Sequence, residues 1–134
     1  MVPSSTRIFV CTAPVDMRRS FSGLADSARE LVQQDPATGA LFLFTGKRGH
    51  SLKVLWWDTT GYCILSKRLV RGVFRLPSAP SGASAVQIDA RELAVILEGI
   101  VLPPRKLQMK AATKEGRAKA LRAIATATTH RVHE

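Results

Sequence analysis

Three aspartates, three histidines and one glycine-flanked pair of cations are the groups in this chain whose types and neighbourhoods invite a chemical reading. Asp16, Asp58 and Asp89 come first, because enzymes that cleave phosphodiesters gather carboxylates around divalent metals ~3.5–4 Å apart. Asp89 precedes Glu92 at the head of an apolar run and is better explained as a helix cap. Asp58 leads into Thr59-Thr60-Gly61, a turn where acids are common, and Asp16 has Arg18 and Arg19 beside it as ion-pair partners. Too few acids remain for a metal nuclease, so no catalytic residue and no metal ligand is assigned. His50 falls in a turn, while His130 and His133 lie near a terminus, where an incidental pair is the ordinary explanation. No Ser or Cys stands in a nucleophile motif.

Gly46-Lys47-Arg48-Gly49 suggests a phosphate-binding loop, but the nucleotide-binding form is G-x-x-x-x-G-K followed by Ser or Thr. Gly39 and Gly46 stand too far apart for it, and Arg48 replaces the hydroxyl residue. ATP binding is therefore rejected and no cofactor is expected. As a hairpin tip carrying two cations, the same loop can reach a DNA phosphate or enter a groove, or it can be an ordinary solvated turn.

The charge of the whole chain makes nucleic acid the leading partner. Twenty Lys and Arg against ten Asp and Glu give a net charge of +10, a field that attracts polyanions in a salt-sensitive way. Up to Pro36 the charges balance. Lys47, Arg48, Lys53, Lys67, Arg68, Arg71 and Arg75 then face only Asp58, and from Arg105 onward eight further cations face Glu115 and Glu134. The chain shows no secretory start and no apolar run near the ~18 residues of a membrane span, so a cytoplasmic protein with no membrane partner is expected. Cys11 and Cys63 lie in apolar stretches and are expected to be buried free thiols.

These groups need elements to hold them. Arg7–Thr12 reads as a short buried strand. Leu24, Ala25, Ala28, Leu31 and Val32 recur at helical spacing, which predicts a helix from about Ser22 to Gln34, capped by Ser20 or Ser22 and stopped before Asp35-Pro36. Ala40–Thr45, Ser51–Thr59 and Tyr62–Leu76 are extended runs joined by short glycine-containing turns, hence an antiparallel meander whose last strand bends or splits at Gly72. Ser78–Ser84 is a loop. Asp89 then starts a second helix that ends near Gly99 and lays Leu93, Ile96, Leu97 and Ile100 on the sheet. The fold class is α+β: four to five strands with two helices over residues 1–104, followed by a basic helical or disordered tail over 105–134.

Strand alternation places Leu52, Val54 and Trp56 on one face and Lys53, Leu55 and Trp57 on the other. One tryptophan should anchor the core, leaving the other to stack on a base or fill a partner's pocket; with helices on both faces, both rings are core.

Several ordered blocks now resemble a known family. Asp16-Met17-Arg18-Arg19-Ser20-Phe21-Ser22-Gly23-Leu24, Leu41-Phe42-Leu43-Phe44 leading to Gly46-Lys47-Arg48-Gly49, Leu52-Lys53-Val54-Leu55-Trp56-Trp57-Asp58 with Gly61, and Lys67-Arg68-Leu69 with Gly72 and Phe74 are similar to the TnpB-like accessory protein of the insertion-sequence sixty-six family. Leu93, Leu97, Glu98 and Gly99 fit its closing helix. The resemblance implies a bacterial mobile-element protein encoded beside a separate transposase and needed for transposition without performing the strand chemistry. It is distinct from the RNA-guided nucleases that share the name. Val70 departs from the pattern, which usually has an acid there, and the tail is longer and more basic than the usual ending.

Two functional expectations follow. In the first, Lys47, Arg48, Lys53, Lys67, Arg68, Arg71 and Arg75 contact DNA from one side of the meander, with the Arg105–Arg131 region as a second clamp. In the second, Arg18, Arg19 and Trp57 dock the protein on the cognate transposase or other proteins of the element, and charge serves solubility. Homo-oligomers are compatible with either.

Overall fold

The computed structural model describes residues 5–80 and 82–101. The expected tail, the boundary at 104, the second clamp and His130 and His133 lie outside the described residues.

Five strands, β1 (Ile8–Cys11), β2 (Leu41–Thr45), β3 (Ser51–Asp58), β4 (Gly61–Arg68) and β5 (Ala85–Ile88), form one sheet in the order β4-β3-β2-β1-β5. Among the described residues two α-helices, α1 (Phe21–Ser27) and α2 (Ala90–Glu98), accompany the sheet, and the fold is α+β. The expected meander is present as β2-β3-β4, with every pair antiparallel. β1 lies outside it. It runs parallel to β2, which the long connection through α1 permits, and antiparallel to β5. All four β1 residues are buried because this strand lies inside the sheet with helices over its faces.

The alternation of side chains makes two cores. On the α1 face, Phe9, Cys11, Phe42, Phe44 and Leu55 pack against Leu24, Ala25 and Ala28. On the α2 face, Ile8, Val10, Leu43, Leu52 and Val54 pack against Leu93 and Ile96. Adjacent β2 residues thus serve opposite layers: Phe42 and Phe44 one, Leu43 the other. Trp56 packs against the α2-face core, whereas Trp57 meets Tyr62 edge-on at 5.0 Å; both rings are half-buried. Cys11 is a buried free thiol whose pKa is raised by burial, while Cys63, on the edge strand, is only half-buried.

Three local expectations change. The first helix is α-helical only to Ser27 and continues as a π-helical turn over Ala28–Val32, ending at Gln33 with φ 60°. Ser20 occupies its N-cap position but makes no side-chain cap bond, in contrast to Asp89 and Glu92, which form a complete capping box on α2. The long run to Leu76 stops being a strand at Arg68. Gly72 turns the chain with φ +87°, and beyond it Val73 pairs with Ile100 in an isolated bridge. A Cβ at position 72 would fall 2.8 Å from the Ile100 carbonyl carbon, so glycine is required both by conformation and by space.

Candidate nucleic-acid interface

The hairpin between β2 and β3 brings three of the seven cations, Lys47, Arg48 and Arg68, to one place. The Gly49 amide donates to the Gly46 carbonyl at 3.0 Å, closing a turn with Lys47 and Arg48 at its two central, exposed positions. The turn is clamped from the chain that follows β4: Leu69 N–H donates to the His50 carbonyl and Phe74 N–H to the Gly49 carbonyl, each at 2.8 Å. Its other side is closed by Met17. A Cβ on Gly46 would lie 2.7 Å from Met17 Cγ, so the absence of a side chain there lets the segment before α1 settle against the turn.

Between that segment, the turn and the end of β4 lies a cleft of about 330 Å³, lined by Asp16, Met17, Lys47, Arg48, His50 and Arg68 among others. Arg68 reaches His50, Nη2 to Nε2, at 3.5 Å. The cleft's acid is already engaged. Arg18 donates from Nε and Nη2 to the Asp16 carboxylate at 2.8–3.2 Å, and its own amide donates at 2.9 Å. Those bonds hold the Asp16 pKa down at about 2 and raise that of Arg18. The surface presented to a ligand is therefore cationic.

The seven cations do not share one face. Lys53 and Arg68 project on the α1 side and Lys67, opposite Leu52 in the register, on the α2 side. Two of the lysines act as pins. Lys53 Nζ donates to the Arg19 carbonyl at 2.9 Å, tying β3 to the approach to α1. Lys67 Nζ donates to the Leu97 carbonyl at 2.7 Å, satisfying a last-turn acceptor of α2 where positive charge also suits the helix dipole. Arg71 is exposed in the Gly72 turn, and Arg75 borders α2. Arg19 lies along α1, its guanidinium donating to Gly23 O at 3.3 Å and Ser27 Oγ at 2.8 Å. Arg18, by contrast, is 92% exposed while held in place by Asp16. Sequence reasoning missed both lysine pins and the contribution of His50. The period of two that sends Lys53 and Lys67 to opposite faces was readable; their helix partners were not.

Among the described residues no group of His, Cys, Asp and Glu could hold a metal ion, and no helix is long and apolar enough to cross a membrane. A model of the family described as IS66 Orf2 like protein matches residues 6–106. The chain belongs to the IS66 Orf2-like family. Membership brings a transposition-associated accessory role. The match takes in the whole cleft and both pins. Among known relatives, the IS66 Orf2-like chain is 42% identical over 102 residues to the uncharacterized protein y4hO of Sinorhizobium fredii (strain NBRC 101917 / NGR234), covering 75% of this chain and 87% of that one. It is 33% identical over 94 residues to the uncharacterized protein y4jC of the same strain, covering 70% and 79%. No solved structure matches it.

Proposed function

We propose that this IS66 Orf2-like protein is a non-catalytic cytoplasmic accessory factor that grips DNA phosphates at the β2–β3 turn and so helps assemble the transposition complex. The observation that carries this reading is the convergence of Lys47, Arg48, His50 and Arg68 on one cleft whose acid, Asp16, is neutralised by Arg18. Cations at the corner of a rigid turn can follow a phosphate backbone, and nothing in their arrangement calls for a particular base sequence. The test is duplex affinity measured against salt. Each phosphate contact should contribute about −0.9 to the slope of log K on log salt. Undetectable or salt-insensitive binding overturns the reading.

A second reading has one observation in its favour: Arg18 is almost fully exposed yet fixed in direction by Asp16, as a protein-docking group would be. In that reading Arg18 and Trp57 dock on the cognate transposase. After nuclease treatment, Arg18→Ala should then weaken capture of the transposase while leaving DNA binding intact.

A further inference from the structure

Away from the cleft, the segment after the Gly72 turn runs beside α2 and leaves a groove of about 510 Å³ between them, within the size range of small-ligand and side-chain pockets, ~300–1,000 Å³. Leu76, Pro77, Val95 and Ile96 supply apolar lining, and Arg75 and Arg91 supply charge. Val95 is 45% exposed, an outlier on a helix whose Leu93 and Ile96 are buried. Both arginines are exposed, and neither makes an ion pair or hydrogen bond among the described residues. The one acid among the described residues of the groove, Glu92, has its carboxylate turned to the start of α2, where Oε1 accepts from the Asp89 amide at 3.2 Å.

We infer that this groove is a docking site for an acidic, leucine-bearing segment of a protein partner. The apolar lining takes the aliphatic side chain, and Arg75 and Arg91 take carboxylates on either side of it. A guanidinium matches a carboxylate with two parallel hydrogen bonds, and such charge-assisted bonds are about twice as strong as neutral ones. Duplex DNA does not suit the site, because its phosphates would lie over aliphatic side chains with nothing to bury. Residues 105–134 do not suit it either: they carry eight Lys and Arg against Glu115 and Glu134, an excess of the same sign as the two arginines. Charge complementarity selects a foreign acidic segment. This assignment does not depend on DNA binding at the cleft.

The test uses the full chain and a fluorescent nine-residue probe peptide alternating Asp or Glu with Leu, read by anisotropy. Its isosteric Asn/Gln counterpart and a duplex oligonucleotide serve as comparison ligands. The acidic probe should bind the full chain, and Arg75→Glu with Arg91→Glu should weaken it by about tenfold or more. The same double variant should leave the slope of log K for duplex DNA on log salt unchanged, since Lys47, Arg48 and Arg68 are untouched. Both positions are exposed, so an unchanged circular-dichroism spectrum is expected and excludes loss of fold. A photoreactive benzophenone amino acid replacing Val95 then reports the occupant. A crosslink to the probe supports the inference. Crosslinks to residues 102–134 or to a second copy of the chain, despite added probe, overturn it. So does equal affinity for the acidic and amide peptides, or loss of duplex binding in the Arg75/Arg91 variant with displacement of the probe by DNA.

Discussion

The cleft at the β2–β3 turn and the groove along α2 both present arginines, but they are built for different guests. In the cleft, cations stand on a hydrogen-bonded turn and the nearby carboxylate is tied up by Arg18. In the groove, two arginines that make no ion pair among the described residues share the lining with aliphatic side chains. The first is suited to charge that stays hydrated, the second to charge accompanied by an apolar side chain. A net charge of +10 thus says little about where a polyanion would lie. The sheet divides the cations between two faces, and two of them, Lys53 and Lys67, are engaged at the approach to α1 and at the last turn of α2.

The two regions meet at Gly72, and the largest effect is expected there. Val73 on one side bonds Ile100 in both directions at 2.9 Å, and Phe74 bonds Gly49 of the cationic turn. Gly72→Ala would force a Cβ against the Ile100 carbonyl at a positive φ. Strain of this kind costs about 1–3 kcal/mol, with the overlap added to it, so urea unfolding should show a loss of about 3 kcal/mol. Both ligands should bind less well. An unchanged midpoint would show that the bridge does not join the two regions.

Charge removal should separate what Gly72 joins. Lys47→Ala with Arg48→Ala removes two candidate phosphate contacts, so the slope of log K against log salt should become shallower by about 1.8. Affinity for the acidic probe should be unaffected. If both ligands weaken together, the cleft and groove form one extended electrostatic surface and are not separate sites.

A smaller contrast lies in the helix starts. The Asp89 carboxylate accepts from the Glu92 amide at 2.8 Å and the Glu92 carboxylate accepts from the Asp89 amide, whereas Ser20 has no side-chain cap bond. Asp89→Ala should therefore cost about 1 kcal/mol in chemical denaturation and loosen the groove. Ser20→Ala should have close to no effect. Equal losses at the two positions would mean that Ser20 caps α1 in solution.

That pair also marks what the sequence could and could not reveal. The Asp89–Glu92 spacing identifies a capping box because both partners are local. Ser20 before α1 is a cap residue type, but Gly23 stands where a capping box needs an acid, and it is Lys53, thirty-four residues away, that ties down the Arg19 carbonyl beside the helix start. The strands of the meander were legible from alternation and glycine turns. β5 was not: Ala85–Ile88 is short and follows a loop, and its partner β1 lies more than seventy residues earlier. The parallel pairing of β1 with β2 was hidden for the same reason, since connection length permits it without requiring it. At the cleft, Lys47 and Arg48 announced themselves by their glycine neighbours. Arg68 and His50 came together only through the register of β3 with β4 and the clamp that follows it.

The finest test of the contrast is Asp16, the acid that the cleft contains and neutralises. Its pKa sits at about 2 because Arg18 donates hydrogen bonds to the carboxylate from both side chain and backbone. A depressed carboxylate pKa means that the pairing contributes above the ordinary value of 3.8 and is lost as pH falls through about 2. At neutral pH the pair should therefore be fully formed and impart no pH dependence to DNA affinity. Carboxyl NMR titration should give a midpoint near 2 in the parent protein, rising towards 3.8 in Arg18→Ala. The same variant leaves a bare carboxylate beside Lys47 and Arg48 and should weaken duplex binding by a small factor, about threefold, because both groups are exposed and salt screens them. Asp16→Asn added to Arg18→Ala should restore that loss if Arg18 acts by neutralising Asp16. If the double variant stays weak, Arg18 touches DNA itself. If neither variant changes DNA binding but both impair capture of the transposase, the exposed guanidinium belongs to a protein interface, and the cleft begins at Lys47.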